Sequence, residues 1–410
     1  MRWAGFISLL TGGLLTLIMI PRSAVSQEGS EQTVRRVCGS CHALEVNRMC
    51  LAGNCQGPRV HRTQSRDWGM VLSWMREAFG CQMTDAERET VARYLNGLSP
   101  LKKPYSHLWR RVGIVPGGWN VVSLTVDGDV LYAGVEGDGV IYRSLEGLQW
   151  TEVARTGHVS AYGITRFHAA LYAGTNDPDP EIWTSPDGVS WNPIARLPSA
   201  DRGVISLGVF RGFLYAGTAR SKIYRSPDGK HWEEEATLGT AAMAGFQNWV
   251  RFLSEFRGDL YAGIEAGNLY RTHDGIHWTE IEGKIAQAGG FRGVAVFQNA
   301  LYLGTTRTGQ VWKSMDGERW ESVFDGTARR PGKYVASITV YRDALYAAIN
   351  GFVFRTPDGT TWEEEGNLSA GTIEAMTSFR GALYAGTAMP PAAWIYRTVS
   401  DQKKSSYLHH

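Results

Sequence analysis

Short apolar runs separated by polar turn residues fill the C-terminal part of the chain, and one of these runs recurs. Each copy reads Leu-Tyr followed by two small or apolar residues, and successive copies lie roughly 40 residues apart. The copies begin at Leu131, Leu171, Leu214, Leu260, Leu301, Leu345 and Leu383. Apolar runs of this length, bounded by turn residues, predict short β-strands.

Each repeat is predicted to form four strands. An apolar segment comes first, the Leu-Tyr copy second, a segment such as residues 223–226 (Ile-Tyr-Arg-Ser) third, and a segment led by tryptophan fourth. An Asp-Gly turn, which is a strong hairpin signal, joins the third strand to the fourth. The tryptophans are Trp150, Trp191, Trp232, Trp278, Trp320 and Trp362. Repeats of this length predict an all-β propeller with seven blades.

The seventh repeat lacks its own fourth strand, because a polar tail, residues 401–410, follows its third strand at residues 394–398. Residues 107–112, just before the first repeat, have the tryptophan-led pattern of a fourth strand. We expect them to complete the last blade and close the ring, which removes an exposed sheet edge. The propeller is therefore predicted over residues 107–400, after a short polar linker at residues 101–106.

The turns between third and fourth strands have the pattern Ser/Thr-x-Asp/Glu-Gly-x-x-Trp. They resemble the Asp boxes of sialidases and other propeller proteins, although the spacing is one residue shorter. The resemblance implies a turn in which the carboxylate accepts backbone N–H bonds and the tryptophan packs across the hairpin. It supports the fold and carries no implication of glycosidase activity.

The first residues have the features of an export signal. Arg2 precedes the apolar residues 6–20, and residues 24–26 (Ala-Val-Ser) form a small-x-small cleavage site. The apolar run, at about fifteen residues, is shorter than the roughly twenty that a membrane-spanning helix needs. We expect a signal peptide over residues 1–26 and a periplasmic or otherwise exported protein without a stable membrane span. A retained signal anchor is the alternative.

Residues 38–42 read Cys-Gly-Ser-Cys-His, the C-x-x-C-H pattern of covalent haem attachment. Two cysteines at this spacing can form thioethers to one haem, and the adjacent histidine can ligate its iron. The alternatives are a chance pair of cysteines or a redox dithiol. The position of the motif after an export signal favours haem. We predict one covalent haem c on Cys38 and Cys41, with His42 as an axial iron ligand.

The three other cysteines precede the repeats. Cys50 and Cys55 flank a short loop that a disulfide could close, and pairing of either with Cys81 stays open. An oxidising compartment would permit such a bridge.

Residues 27–100 are predicted to form a small all-α domain. Residues 84–87 (Thr-Asp-Ala-Glu) have the capping-box pattern of a helix start. A helix that contains Trp68 and Met75, followed by a helix that ends in Tyr-Leu at residues 94–95, resembles small monohaem cytochrome c domains attached to bacterial periplasmic oxidoreductases. The resemblance implies that Met75 is the sixth iron ligand.

Other side chains compete with Met75 for the iron. Met83 lies just before the last helix, where many other cytochromes c place their ligand, and Met70 and His61 are further candidates. Met75 itself could belong to the core of the domain, as most methionines on apolar helix faces do. A thioether ligand raises the reduction potential relative to two imidazoles.

Charge and composition exclude some partners. The formal net charge is +2, with 42 Lys and Arg against 40 Asp and Glu, so nothing favours nucleic acid. Aromatic and cationic residues near the starts of the first strands could form a binding face for an anionic ligand or a partner protein, or could be ordinary loop residues. They are Trp119, Tyr162, Arg202, Trp249, Arg251, Arg292, Lys333 and Tyr334.

Two functions follow from these features. The first is single-electron transfer through the haem, with the propeller as a scaffold or docking surface for a redox partner protein. The second is a haem-containing oxidoreductase whose propeller binds the substrate or an additional metal. The complete haem motif favours the first, since no second reaction centre is visible in the sequence.

Overall fold

The structure is a computed structural model that divides into two compact units, Met1–Pro104 and Tyr105–His410. It describes residues 6–11, 14–19, 84, 87, 108–115, 118–239, 248–265, 267–326, 334–368, 372–388 and 393–399. In the first unit, strands β1 (Phe6–Thr11) and β2 (Leu14–Met19) form an antiparallel hairpin within the apolar run of the predicted signal. None of the described helical residues belongs to a helix long and apolar enough to cross a membrane.

A capping box is present at residues 84–87. The backbone N–H of Thr84 donates to Glu87 Oε2 (2.8 Å), and the backbone N–H of Glu87 donates to Thr84 Oγ1 (3.3 Å). This exchange satisfies two backbone donors that a helix start leaves without intrahelical partners. Apart from these two residues, the predicted cytochrome domain at 27–100 lies outside the described residues, as do the predicted linker and polar tail.

The second unit consists of seven four-stranded antiparallel blades, of which six are formed by one repeat each and the seventh also includes a strand from before the first repeat. Strand β3 (Leu108–Val115) precedes the first repeat. Blade 1 contains β4 (Asn120–Asp127), β5 (Val130–Glu136), β6 (Val140–Ser144) and β7 (Thr151–Arg155). Blade 2 contains β8 (Ser160–Phe167), β9 (Ala170–Asn176), β10 (Glu181–Ser185) and β11 (Asn192–Arg196). Blade 3 contains β12 (Val204–Phe210), β13 (Phe213–Thr218), β14 (Lys222–Ser226) and β15 (Glu233–Thr237).

The later blades repeat this order. Blade 4 contains β16 (Val250–Phe256), β17 (Asp259–Ile264), β18 (Leu269–Thr272) and β19 (Thr279–Glu280). Blade 5 contains β20 (Phe291–Phe297), β21 (Ala300–Thr305), β22 (Gln310–Ser314) and β23 (Glu321–Asp325). Blade 6 contains β24 (Val335–Tyr341), β25 (Ala344–Ile349), β26 (Phe352–Thr356) and β27 (Glu363–Asn367). Blade 7 contains β28 (Thr372–Phe379), β29 (Ala382–Ala388) and β30 (Ala393–Val399). Among the described residues between blades, Ser199–Asp201 and Lys284–Gln287 form short 3-10 helices.

The ring closes through a strand from the start of the unit. Strand β3 pairs antiparallel with β30, with Trp109 opposite Thr398 and Ile114 opposite Trp394. The expected pairing of residues 107–112 with residues 394–398 is therefore confirmed for the described part of both segments. Each innermost strand contacts the next, and β28 contacts β4, so the blades form a closed circle. The part of the chain described here is an all-β propeller.

Neighbouring blades are joined by the two motifs that define the repeat. The tyrosine of each Leu-Tyr copy is buried, and in six of the seven copies its hydroxyl end contacts the glycine of a turn in the following blade. Tyr132, Tyr172, Tyr215, Tyr261, Tyr302 and Tyr384 thus face Gly188, Gly229, Gly275, Gly317, Gly359 and Gly147, respectively. The last of these pairs, Tyr384 and Gly147, joins blade 7 to blade 1. A side chain in place of glycine would collide with the ring, so both motifs are needed at the same interface.

A second contact of this kind involves the tryptophans. Gly113 and Gly366 lie on the fourth strands of blades 7 and 6, and a Cβ atom on either would come within 2.8 Å of an indole ring. Gly113 faces Trp150 of blade 1, and Gly366 faces Trp109 of blade 7. Trp109 therefore occupies the position in blade 7 that the repeat tryptophans occupy in their own blades.

The turns before these tryptophans have the geometry that their sequence predicts. In blade 3, Asp228 Oδ1 accepts the backbone N–H groups of Lys230 (2.8 Å) and His231 (2.9 Å), while Ser226 Oγ accepts that of Gly229 (2.7 Å). The same bonds to the carboxylate recur at Asp187, Asp274, Asp316 and Asp358. Hydrogen bonds favour the ionised form and hold the pKa of each carboxyl below its usual value. The backbone donors are the largest cause at four of the five, whereas at Asp274 the bond to the His277 side chain comes first, followed by the backbone donors.

Candidate functional site

Every innermost strand is interrupted near its start by a β-bulge. In six blades a single extra residue lies between two paired ones: Val122, Ile205, Arg251, Arg292, Ala336 and Glu374. In blade 2 the irregularity lies between Tyr162 and Thr165 and includes Gly163. A bulge bends its strand and turns one side chain away from the regular alternation.

The bulges surround one cavity. Its volume is about 230 Å³, and all of the bulge residues line it, together with Ser123, Tyr162 and apolar residues such as Phe252. Because each of the seven blades contributes its innermost strand to the lining, the cavity lies in the central channel. Propeller channels of this kind are common sites for ligands.

Two arginine–glutamate pairs lie at this cavity. Arg251 Nη2 donates to both carboxylate oxygens of Glu265, at 2.8 and 2.7 Å. Arg292 pairs with Glu374 and also lies 3.8 Å from Glu265. The Tyr334 hydroxyl donates to the second oxygen of Glu374 at 2.8 Å. The network links blades 4, 5, 6 and 7. Its four charged side chains are mostly buried, and the most exposed of them, Arg292, is only 16% exposed.

Aromatic rings pack beside the two guanidinium groups. Arg251 lies over the Trp249 ring at 4.2 Å, and Arg292 lies over the Tyr334 ring at 5.2 Å. The Tyr162 ring meets Trp249 edge to face, with centroids 6.0 Å apart. Burial raises the pKa of Tyr162 to about 12. The pKa of Tyr334 is also raised to about 12, mainly by burial and in addition by the nearby negative charge of Glu374. Both tyrosines therefore stay neutral and serve as hydrogen-bonding groups at ordinary pH.

The structure brings together five of the residues expected on the propeller face and leaves two apart. Tyr162, Trp249, Arg251, Arg292 and Tyr334 form the cluster just described.

The two residues that do not join the cluster are Trp119 and Arg202. The Trp119 side chain is 45% exposed, and Arg202 Nη2 pairs with Asp177 at 3.3 Å. Lys333 lies outside the described residues.

Two acidic residues of the cluster, Glu265 and Glu374, were missing from the sequence-based set. Glu265 lies two residues after the Leu-Tyr copy at residues 260–263, and Glu374 is a charged residue within the innermost strand β28. A charged residue inside an innermost strand indicates a candidate site. Which side chain it contacts depends on the position of the bulge, and the sequence does not reveal that position. The two carboxylates change the character of the face, because they balance the charges of the two arginines.

The predicted haem and disulfide residues lie outside the described residues. They are Cys38, Cys41, His42, Cys50, Cys55, His61, Met70, Met75, Cys81 and Met83. Within the described ranges, no group of three or more His, Cys, Asp or Glu side chains is arranged to hold a metal ion.

No protein-family model matches this chain, and no curated protein matches it. Solved structures do resemble it. A catalytically inactive virginiamycin B lyase from Staphylococcus aureus with quinupristin has a TM-score of 0.60 at 13% identity, covering 72% of this chain and 99% of that one. A streptogramin B lyase also has a TM-score of 0.60, at 10% identity, covering 73% and 99%. The WD40 repeats of RRP9 have a TM-score of 0.53 at 13% identity, covering 71% and 97%. At this identity the similarity shows the propeller fold alone.

Proposed function

We propose that this protein is an exported c-type cytochrome that transfers single electrons through one covalently bound haem. The observation that carries the proposal is the Cys-Gly-Ser-Cys-His sequence at residues 38–42, which follows an export signal. The donor set suits the group: two thiols at the thioether spacing and one imidazole for the iron. The haem, when bound, supplies one-electron redox chemistry at its iron.

The residues of this chain would hold and tune that haem. Cys38 and Cys41 would fix it covalently, and His42 would ligate the iron on one side. Met75 is our choice for the opposite side, with Met83 as the alternative. A thioether ligand would raise the reduction potential and suit an acceptor of electrons from a periplasmic oxidation.

The propeller would act as a rigid scaffold or as a docking surface for a redox partner protein. Its closed ring leaves only the short outer edges of the blades unpaired and offers exposed turns on which a partner could bind. Disulfide formation at Cys50 and Cys55 would be compatible with the same oxidising compartment.

A second candidate function is suggested by the central cavity. A haem-containing periplasmic oxidoreductase could bind its substrate, or an additional metal, in the propeller and pass electrons to the haem. The cavity of about 230 Å³ with its buried charged pairs is the observation that favours this alternative. Metal analysis of the purified protein separates the two, because stoichiometric copper or a second haem would support the oxidoreductase.

Covalent attachment gives the direct test of the haem. The chain should be produced in a bacterial periplasm that contains the haem-attachment machinery, and then separated by denaturing electrophoresis. Haem peroxidase staining should follow the polypeptide, because thioether bonds survive denaturation, and staining should disappear when Cys38 and Cys41 are replaced by Ala.

The matched control replaces Cys50 and Cys55 by Ala, which removes the same number of thiols outside the motif. This variant should keep its stain. An unmodified chain without stain, or staining that persists after the Cys38 and Cys41 replacements, would show that the proposal is wrong.

A further inference from the structure

We propose that the central channel of the propeller binds a small organic molecule that is uncharged overall, with an apolar body and one polar end. This site is separate from the predicted haem motif, and the inference holds whether or not the chain carries haem. It follows from the size, the lining and the charge balance of the cavity.

The shape of the cavity limits the size of its ligand. A volume of about 230 Å³ corresponds to roughly eight water molecules at about 30 Å³ each. That space suits a single ring with one polar substituent and is below the usual range of drug-sized pockets. The part of the ligand that lies inside the channel is therefore about the size of one ring.

The lining has an apolar side and a charged side. The bulge residues of blades 1, 2 and 3 are Val122, Gly163 and Ile205, whereas those of blades 4 and 5 are Arg251 and Arg292. Further apolar side chains, Leu207, Phe252 and Leu253, also line the cavity. A ligand with a hydrocarbon part and one polar end would match both sides.

The charges of the cavity cancel. Arg251 and Arg292 carry two positive charges, and Glu265 and Glu374 carry two negative ones, all within one network of ion pairs. A simple anion would gain little net attraction and would lose its hydration on entering a mostly buried site. The same argument applies to a simple cation. An uncharged ligand avoids this cost.

Three probes of the same shape test the charge preference. Benzamide, benzoate and benzylammonium each carry one ring and one polar group, and they differ in charge. Each is titrated onto the full chain, and affinity is measured by ligand-observed NMR. Benzamide should bind at least about tenfold more tightly than the two charged probes, a difference of about 1.4 kcal/mol.

Two variants should shift the preference in opposite directions. Glu374→Gln removes a negative charge and should raise benzoate affinity about tenfold relative to benzamide. Arg251→Gln removes a positive charge and should raise benzylammonium affinity about tenfold relative to benzamide. Arg202→Gln is the control for removal of an arginine, because Arg202 also pairs with a carboxylate, that of Asp177, but lies outside the cavity lining and should change none of the affinities.

Thermal unfolding shows whether each variant is folded. The inference is overturned if no probe binds the unmodified chain at millimolar concentration or if benzoate binds it most tightly. It is also overturned if folded Glu374→Gln and Arg251→Gln variants behave like the Arg202→Gln control.

Discussion

A close contact between a tyrosine hydroxyl and a glycine explains why both residues recur in the repeat. The Tyr261 hydroxyl lies where a Cβ atom on Gly317 would be, only 1.9 Å from that ideal position. The tyrosine is 1% exposed and belongs to blade 4, whereas the glycine belongs to the turn of blade 5. One missing methyl group therefore allows two blades to approach each other.

Replacing this glycine should separate backbone strain from packing across the interface. Gly317 and Gly258 both have left-handed backbone conformations, with φ of 80° and 83°, but a Cβ on Gly258 would meet nothing within 4 Å. Gly258→Ala should cost about 1 kcal/mol from strain alone. Gly317→Ala should cost about 1–3 kcal/mol more, because the methyl group collides with a buried ring. Denaturant unfolding midpoints measure both, and equal midpoints would show that the Tyr261 contact does not constrain the interface.

At the scale of strands, the blade that contains both ends of the unit differs from the others. Blade 7 takes its fourth strand, β3, from the start of the unit, and Trp109 packs against Gly366 of blade 6. Without β3, the backbone groups of β30 along its outer edge would lose their partners. Closure is therefore part of the stability of the ring.

Removing β3 should destabilise the propeller. A chain that begins at residue 101 should unfold cooperatively, while one that begins at residue 116 should lose about 3 kcal/mol or more, since Trp109 and Val112 no longer pack. A chain that ends at residue 400 is the control. It loses the polar tail, a segment of length similar to residues 101–115, but it retains β30 and should keep its stability. Calorimetry compares the three. If the chains beginning at 101 and 116 are equally stable, β3 is not what holds the ring closed.

The strand order was predictable because the repeat presents it directly. Apolar runs, Asp-Gly turns and tryptophan spacing determine which segments pair, and the tryptophan-led pattern at residues 107–112 identified the closing strand. The candidate site was only partly predictable. Arg251 and Arg292 stood out as cations near strand starts, but Glu374 did not. Its position depends on a bulge, which shifts a side chain by one residue without a distinctive sequence.

At the scale of the whole molecule, one turn design is used in blade after blade. Asp187, Asp228, Asp274, Asp316 and Asp358 each accept backbone N–H bonds that favour the ionised carboxylate. Their pKa values are held below the usual value for Asp. A carboxyl whose pKa is lower in the folded state stabilises the fold above its unfolded pKa, and this contribution is lost as the pH falls.

The ring should therefore lose stability progressively below about pH 4, the usual pKa of Asp in unfolded chains. Asp316→Asn should lower the thermal midpoint at pH 7, and the gap to the unmodified protein should narrow as the pH falls towards 2, since protonation removes the same charge. Asp129→Asn is the control, because the Asp129 side chain is 92% exposed. A gap that stays constant between pH 7 and pH 2 would contradict the role given to these carboxylates.

The pairing of Leu108 with Val399 also sets the order of events during synthesis. The first strand of the unit is made early, yet its partner emerges from the ribosome only after nearly all of the other blades. Until then, β3 has no neighbour and the nascent ring stays open. Contacts between residues so far apart in sequence form slowly, and the waiting edges can pair with other chains. Closure of the ring is thus expected only after Val399 has left the ribosome, with chaperone protection most needed just before that point.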